Sequence, residues 1–310
     1  MNFRKANPLD ILDVKKLWEE VFGDAEDYIR RFINYFDIEN CYVCEINNKL
    51  VAMAFAITTT LTSPSLRIKS AIERMSEGWG SLCKNKKTSI KYIYACATHP
   101  DFQSQGIMKK LLDTIYEDAC RENFAGIFLH AANPDLANYY QKLGFDDFFF
   151  RDHFFYHRFN HKEHEDVLQN AQRANAALLN LCALAPLRER KINLISPENY
   201  CKKRVEKLKN QCFIDWHNDF FQFLNETGTQ FCEYENTIFS FKTSFNNIIV
   251  DELLGDTPHE QIAQLLFEEF PDFDVVHIRS IGNEFCCGQI KCCNLVNENL
   301  SNGWLGFAME

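Results

Sequence analysis

The sequence predicts an α/β protein with mixed sheets, arranged as two tandem domains of one fold, of which the second is degenerate. Its 310 residues suffice for two domains, and a hydrophobic content of 46% can fill their cores. The first half alternates strand and helix patterns, as in sheets that are covered by crossover helices. Residues 247–280 repeat the strand–helix–strand order of residues 92–131, which indicates an internal duplication.

The first half begins with a short strand at 3–5 and two helices. Pro8 stands in the first turn of a helix over 8–22, where its missing N–H is harmless, and Gly23 ends that helix before a second one through Tyr35. The turn Asn47-Asn48 between β-branched runs indicates a hairpin. The remaining predicted elements are an irregular insertion at 63–88, strand 90–97, helix 105–122, strand 125–131, helix 134–142 and two late strands within 146–159.

A polar stretch at 160–166 marks the domain boundary, which divides the chain into domains 1–160 and 161–310. The second half begins with a helix rich in Ala and Leu. Its predicted elements are helix 166–184, strand 191–196, helices 198–210 and 216–225, strands 231–235, 237–242 and 247–254, helix 258–270, and strands 275–280 and 285–293.

Composition and charge exclude several classes of protein. A formal net charge of -10 argues against a nucleic-acid partner, which needs a basic face. No apolar run reaches the roughly 18 residues that a membrane span needs. The amino terminus lacks the apolar stretch of a secretory signal. We therefore expect a soluble, cytoplasmic protein with no nucleic-acid or membrane partner.

The 13 cysteines favour neither disulfides nor a metal site. Their number is odd and most lie inside apolar runs, so we expect reduced, packed thiols. Cys41 and Cys44 should face opposite sides of a strand. The densest group comprises Cys286, Cys287, Cys292 and Cys293, and it could not converge on one zinc ion without a bulge, which Gly288 could supply. We therefore expect no metal.

The stretch Gln103-Ser104-Gln105-Gly106 leads from a strand into an amphipathic helix without a usual capping residue. The first turn of a helix leaves N–H groups without internal partners, and these groups carry the positive end of the helix dipole. Gly106 allows another group to approach the backbone closely. The amides from Ser104 through Ile107 to Met108 are therefore expected to bind a phosphate.

Two motifs in this half resemble those of the GNAT superfamily of acetyl-CoA-dependent N-acyltransferases. The family's pyrophosphate loop, Gln/Arg-x-x-Gly-x-Gly/Ala, is similar to Gln103-Ser-Gln-Gly106-Ile-Met108, although Met108 replaces a small residue. The segment from Asn133 through Tyr140 to Gly144-Phe145 is similar to the family's Asn…Leu-Tyr-x-x-x-Gly-Phe segment. The resemblance covers residues 2–158. With a second fold-like half, the chain is most similar to the enhanced-intracellular-survival-type branch.

The resemblance implies an N-acetyltransferase fold with acetyl-CoA as co-substrate and a primary amine as acceptor. It implies that strands 90–97 and 125–131 part, and that pantetheine binds the strand edge at Ala95, Cys96 and Ala97. Asn133 would contact the pantetheine arm. Tyr140 would lie near the thioester sulfur, as the acid that protonates the leaving thiolate.

The general base stays open, because residues 92–97 contain no carboxylate. Candidates near the expected acceptor cleft are Glu19, Glu20, Asp24 and Glu26, although any of these is also typical of a solvated helix. His99 and His130 are closer to the cofactor in sequence, but each is also typical of a structural residue. The resemblance adds the terminal carboxylate of Glu310, provided that residues 304–310 dock as a strand against the first domain.

Two other functions stay open beside the enzyme. One is a CoA-binding regulatory or interaction protein without turnover, which Met108 and the missing strand carboxylate favour. The other is a tandem-GNAT aminoacyl transferase supplied by tRNA, against which the net charge and the phosphate turn argue. The acidic balance favours a cationic acceptor, and general statistics of oligomers favour a homodimer.

Overall fold

The computed structural model describes residues 1–64, 86–158, 192–293 and 302–307. Seven α-helices lie within these ranges: α1 (Ile11–Phe22), α2 (Glu26–Phe36), α3 (Ile107–Arg121), α4 (Pro134–Lys142), α5 (Pro197–Lys207), α6 (Asn218–Glu226) and α7 (His259–Glu269). In the same part of the chain, no helix is long and apolar enough to cross a membrane. The predicted helix 166–184 and nearly all of the insertion 63–88 lie outside the described residues.

Thirteen strands within the described ranges form one mixed sheet. They are β1 (Asn2–Lys5), β2 (Cys41–Ile46), β3 (Lys49–Ser63), β4 (Lys86–Thr98), β5 (Gly126–Leu129), β6 (Asp146–His157), β7 (Asn193–Leu194), β8 (Phe213–Asp215), β9 (Gln230–Tyr234), β10 (Thr237–Ser244), β11 (Asn247–Leu254), β12 (Val275–Ile281) and β13 (Phe285–Cys292). The order across the sheet is β1-β2-β3-β4-β5-β13-β6-β12-β11-β10-β9-β7, and β8 pairs with β3.

The two halves of the chain share strands in the middle of this sheet. Strand β13, from the second half, lies between β5 and β6 and pairs antiparallel with both. Strand β6, from the first half, pairs antiparallel with β12. Each half therefore completes its part of the sheet with a strand from the other.

Local sequence signals predicted most first-half elements. Asn47 and Asn48 both adopt positive φ (51° and 64°), as a tight hairpin turn between β2 and β3 requires. Helix α4 has the predicted bounds, and Asn133 caps it. The two late strands predicted within 146–159 are wrong: Asp146–His157 form the single strand β6. Because β13 pairs with residues 146–151 and β12 with residues 151–157, β6 has a strand partner along its whole length.

The predicted duplication is visible as two units of the same order. Strands β4 and β5 pair in parallel and α3 connects them. Strands β11 and β12 also pair in parallel, and α7 connects them. The strand–helix–strand order at 247–280 is therefore confirmed.

Apolar side chains fill both faces of the sheet. Cys41 lies in a cluster that includes α1, α2 and α6, whereas Cys44 lies in the cluster of α3, as the alternation of strand side chains predicts. The first cluster joins the two halves, since the Trp216 ring packs edge-on against Tyr92 at 5.2 Å. The core beneath α1 and α2 is thus continuous with that of the second half.

One cysteine pair corrects the expectation of reduced thiols. Cys120 on α3 and Cys293, directly after β13, are disulfide-bonded across a sequence separation of 173 residues. The expectation was wrong for this pair because β13 enters the first half's part of the sheet, which brings distant residues together. The bond links the two halves covalently.

A buried ion pair organises the second half around the C-terminal segment. The side chains of Arg204 and Glu252 are 1% and 0% exposed, and Arg204 Nε donates to Glu252 Oε2 at 2.8 Å. Tyr200 Oη donates to the same oxygen at 2.9 Å, and Trp304 Nε1 donates to Glu252 Oε1 at 2.6 Å. The carboxylate thus anchors Trp304, and with it residues 302–307.

We predict that replacing this carboxylate destabilises the protein strongly. Glu252→Gln should lower the free energy of unfolding by about 3–5 kcal/mol, because it leaves the Arg204 guanidinium buried without its counter-charge. Urea unfolding followed by tryptophan fluorescence measures this. The control is Glu233→Gln, which removes the more exposed pair with Lys203 and should cost less than about 1 kcal/mol. Equal losses in both variants would contradict the assignment.

We also predict that residues 1–160 do not fold alone. Without the second half, β5 loses its β13 neighbour, and the apolar face around Tyr92 loses Trp216. The fragment should be insoluble or lack a cooperative urea transition by circular dichroism. Co-expression with residues 161–310 should restore a soluble complex. A monomeric 1–160 fragment that unfolds cooperatively would contradict the prediction.

Candidate active site

The site begins where two parallel strands part. Strands β4 and β5 pair at Lys91↔Ile127, Tyr92↔Phe128 and Ile93↔Leu129, after which β5 ends while β4 continues to Thr98. A bulge follows in β4, because the register with β3 shifts between Phe55↔Tyr94 and Met53↔Ala97. Ala95 has a φ of 52° within it. Residues 94–98 therefore have no β5 partner, and we call this opening the β4–β5 cleft.

A cavity of about 990 Å³ occupies the cleft and extends beyond it. Both halves of the chain line it. The first half contributes residues from the α1–α2 junction, β4, the segment after β5, α4 and β6, and the second half contributes residues 285–289 of β13. The second half therefore lines the cavity directly, which the sequence could not establish.

The predicted phosphate turn lies beyond the end of β4 and presents its backbone outward. Ser104 and Gly106 both have positive φ (61° and 71°), and α3 begins at Ile107 without a side-chain cap. Residues 103–106 are exposed, whereas Ile107 is buried and fixes the helix to the core. Within the described part of the chain, no backbone hydrogen bond uses the amides of residues 104–109. These donors are thus available to an anion.

Two glutamine side chains brace this turn. Gln103 Nε2 donates to the carbonyl oxygen of Thr98 at 3.2 Å, and Gln105 Nε2 donates to that of Asp101 at 3.3 Å. The half-buried Met108 side chain packs against the core cluster of α3. The glutamines therefore satisfy carbonyls that precede the turn and leave the amides of the turn open.

Tyr140 lies in the cavity wall against the β4 bulge. Its side chain is buried, and its hydroxyl is hydrogen-bonded to the thiol of Cys96. Burial raises the pKa of Tyr140 far above its ordinary value, so the phenol keeps its proton at neutral pH. Burial also raises the pKa of Cys96 to about 12, so that sulfur stays a neutral thiol. The phenol therefore already contacts a sulfur atom beside the strand edge.

Asn133 combines the two roles considered for it in the sequence. Its Oδ1 accepts a hydrogen bond from the amide of Leu136 at 2.9 Å, which caps α4. The residue also lines the cavity. Its geometry is consistent with a contact to a ligand arm, but the cap accounts for its conformation.

Of the four acidic candidates, the structure brings only Asp24 to the cavity. Asp24 Oδ2 accepts a hydrogen bond from Trp18 Nε1 at 2.8 Å, which fixes the carboxylate. Glu26 pairs with Lys15 at 2.6 Å, and Glu19 is exposed on α1. Glu20 lies 3.6 Å from His99, outside the cavity lining.

The two histidine candidates differ in their surroundings. His99 Nδ1 accepts from the amide of Asp101 at 3.2 Å and its Nε2 lies 2.9 Å from Lys49 Nζ, so it has a structural role. His130 lines the cavity at the end of β5, with Nδ1 2.5 Å from the carbonyl oxygen of Cys287.

Glu310 lies outside the described residues. The segment before it meets both halves through single bridges rather than a regular strand: Gly303 pairs with Phe149 of β6, and Trp304 with Phe213 of β8.

Sequence reasoning missed several residues of the cavity wall. Tyr28 and Tyr94 are joined by their hydroxyls at 3.1 Å, and burial raises the pKa of both. Arg151 and His153 also line the cavity, and Arg151 Nε lies 3.0 Å from His153 Nε2. The exposed ring of Phe285 lies against His153, 4.9 Å between ring centroids. Arg151, His153 and Phe285 reach the cavity because β6 pairs with β13, and no local sequence pattern predicts this pairing.

The cysteine-rich strand β13 contains the bulge that Gly288 was expected to allow. Cys287 is buried, Cys286 is exposed, and Cys293 is bonded to Cys120. Among the described residues, no three or more His, Cys, Asp or Glu side chains are grouped to hold a metal ion.

Comparison with known proteins agrees with this geometry. Residues 11–145 match the family model described as Acetyltransferase (GNAT) family. No curated protein matches the chain in sequence.

Three solved structures share the fold. A GCN5-related N-acetyltransferase from Kribbella flavida has 13% identity and a TM-score of 0.61, over 91% of this chain and 64% of that one. A GCN5-related N-acetyltransferase from Anabaena variabilis has 11% identity and a TM-score of 0.60, over 95% and 71%. Eis1 from Mycobacterium abscessus has 11% identity and a TM-score of 0.57, over 94% and 74%.

These likenesses confirm the predicted fold, and that to Eis1 agrees with the resemblance to the survival-type branch. The chain spans about 64% of the length of the Kribbella protein. At these identities the structures establish the fold alone. Residues 11–145 are therefore similar to the acetyltransferase (GNAT) family, whose model they match.

Proposed function

We propose that this protein transfers an acetyl group from acetyl-CoA to a primary amine by direct attack of the amine on the thioester. The observation that supports this most strongly is the β4–β5 cleft, with a buried tyrosine in its wall, together with the open amides at the start of α3, the helix that follows β4. The cavity of about 990 Å³ is large enough for the pantetheine end of CoA and a small acceptor.

Three parts of the site would hold acetyl-CoA. The amides of residues 104–108 would bind the pyrophosphate, helped by the left-handed conformation of Gly106. The unpaired edge of β4 at Ala95–Ala97 would hydrogen-bond the pantetheine amides as an added strand would. Asn133 would contact the same arm from the start of α4. No metal is required.

Starting from the ammonium form, the nitrogen must lose two protons, one before the attack and one after it, and the departing sulfur must gain one. The amine nitrogen, once deprotonated, forms a bond to the acetyl carbon while the bond from that carbon to sulfur breaks. A backbone N–H of β4 would stabilise the charge that develops on the carbonyl oxygen. Tyr140 would donate its proton to the departing sulfur, as its hydrogen bond to the Cys96 thiol indicates. Its raised pKa supports this role, because the phenol stays protonated at neutral pH.

The acceptor end of the cavity suits a cation. Asp24 supplies a fixed carboxylate, and the rings of Trp18, Tyr28 and Tyr94 surround it with aromatic surface. Ammonium groups bind to carboxylates and over aromatic rings. We therefore infer a cationic amine, such as a polyamine, an aminoglycoside or a lysine-bearing peptide. A CoA-binding regulator without turnover is the second candidate, favoured by the absence of a carboxylate from β4 between Tyr92 and Ala97.

We predict that Gly106→Val weakens acetyl-CoA binding about tenfold or more, since a β-carbon at a φ of 71° strains the turn and crowds the phosphate. Isothermal titration calorimetry measures the affinity. Gly228→Val is the matched control, because Gly228 also has positive φ and open space around it, and lies outside the cavity lining. Unchanged affinity in the Gly106 variant would contradict the phosphate assignment.

We predict that Tyr140→Phe lowers kcat about 100-fold or more and leaves the acetyl-CoA Kd within about threefold, because only the proton donor is lost. Thiol release across an amine panel measures turnover. The control is the half-buried neighbour Tyr139→Phe, which should keep most activity. Saturable acetyl-CoA binding by the wild type with no thiol release for any amine would favour the regulator instead.

A further inference from the structure

We propose that Asp147 and Gln289 form a subsite for a second ammonium group of the acceptor, which makes the acceptor a linear diamine or polyamine. This inference rests on the proposed function, in which a first ammonium group approaches Asp24. Both residues line the same cavity as Tyr140, and Asp147 comes from the start of β6, whereas Gln289 comes from β13.

The side-chain amide of Gln289 has an unused hydrogen-bond acceptor. The residue is 1% exposed, and its Nε2 lies 2.8 Å from Asp147 Oδ1 and 3.2 Å from the carbonyl oxygen of Ala137 on α4. An ionised carboxylate and a carbonyl only accept hydrogen bonds, so these two contacts fix which end of the amide is the nitrogen. Within the described part of the chain, Oε1 has no hydrogen-bond partner. A buried acceptor in this state is unfavourable, and an N–H group of a ligand would satisfy it.

Asp147 supplies a negative charge beside this acceptor. Its carboxylate accepts hydrogen bonds from Gln289 Nε2 and from Gln141 Nε2 of α4, the latter at 3.1 Å from each oxygen, and the thiol of Cys286 is a further contact. All three partners are uncharged, so they orient the carboxylate without neutralising its charge. The ligand that suits both groups is therefore a cation with several N–H donors, as an ammonium group is.

The pantetheine arm of acetyl-CoA also carries N–H groups, but its amides are neutral. A neutral amide would satisfy Gln289 Oε1 and leave the charge of Asp147 uncompensated. An ammonium group satisfies the acceptor and compensates the charge together. The charge of the subsite therefore favours the acceptor over the cofactor as its occupant.

The guanidinium of Arg151 lines the cavity too, but it does not share a face of β6 with Asp147. The register of β6 against β13 shifts between Asp147 and Phe149, so Phe148 is the extra residue of a bulge. In a regular strand, positions 147 and 151 would share a face, because side chains alternate. With the bulge between them, Asp147 points toward α4, to which it is hydrogen-bonded, and Arg151 belongs to the opposite face.

The spacing of the strands sets the length of the acceptor. Asp147 lies on β6, three places from β4 in the sheet order, and the acetyl group is expected beside β4 just beyond the end of β5. Neighbouring strands lie about 4.8 Å apart, so the reacting nitrogen and Asp147 are about 10 Å apart. Two ammonium groups at this separation belong to a linear chain such as hexamethylenediamine or spermidine.

The experiment compares hexamethylenediamine with hexylamine, which has the same length but no second ammonium group, in a thiol-release assay with acetyl-CoA. In the wild type, kcat/KM should be about tenfold or more higher for the diamine, because only the diamine reaches Asp147 with a charge. In Asp147→Asn this ratio should fall to about threefold or less. The acetyl-CoA Kd of that variant, measured by calorimetry, should stay within about threefold of the wild-type value.

Two further variants keep the result decisive. Gln289→Lys places an ammonium group of the protein itself beside Asp147, so it should abolish the preference for the diamine even if Asp147→Asn is unstable. Asp146→Asn is the matched control, because it removes the adjacent charge of β6, which is exposed and lies outside the cavity lining. This control should keep the wild-type ratio. Urea unfolding identifies any variant that does not fold.

The outcomes separate this inference from the function on which it rests. A wild-type ratio near unity, an unchanged ratio in Asp147→Asn, or an equal loss in Asp146→Asn would overturn the subsite, while thiol release with any amine still supports the acetyltransferase. An acetyl-CoA Kd weakened about tenfold or more in Asp147→Asn, with the ratio unchanged, would assign the subsite to the pantetheine arm instead. Wild-type protein that binds no acetyl-CoA, or that releases no thiol with any amine, would contradict the proposed function itself.

Discussion

The position of β13 between β5 and β6 is the constraint on which the rest of the structure depends. Because it pairs antiparallel with both neighbours, it joins strands β1 to β5 to the part of the sheet that begins with β6 and β12. Its bulge at Gly288 opens the ladder beside the end of β5 and turns a carbonyl toward His130. Its residues 285–289 then form a wall of the cavity. The same strand therefore completes the fold and shapes the site.

The turn before α3, where the phosphate is expected to bind, depends only on residues close to one another in sequence. Two positive-φ residues, Ser104 and Gly106, turn the chain into α3, and two glutamine side chains satisfy carbonyls that precede the helix. A helix that begins in this way keeps its first amides exposed to solvent. A side-chain cap would have occupied one of them. The turn is thus conformationally defined before any ligand binds.

Local features were predictable from the sequence, and long-range pairing was not. Helix α4 has its predicted bounds because Asn133 and Pro134 define its start, and the Asn47-Asn48 turn fixes the hairpin. Local patterns wrongly predicted two strands in place of β6, because the length of β6 depends on pairing with β12 and β13 from the other half. It also missed the Cys120–Cys293 bond, whose partners only the sheet order brings together. At the site, the sequence motifs predicted where the cleft lies. Arg151, His153 and Phe285 line the cavity only because distant strands pair, which no motif predicts.

The bond between Cys120 and Cys293, which are 173 residues apart in sequence, closes the chain between them into a covalent loop. This loop contains β5, β6 and nearly all of the second half. A single peptide cut within this loop would leave both pieces attached to each other through sulfur. Nicked protein would therefore migrate as one species on a denaturing gel until a reductant is added, and proteolysis could be underestimated wherever the thiols stay oxidised.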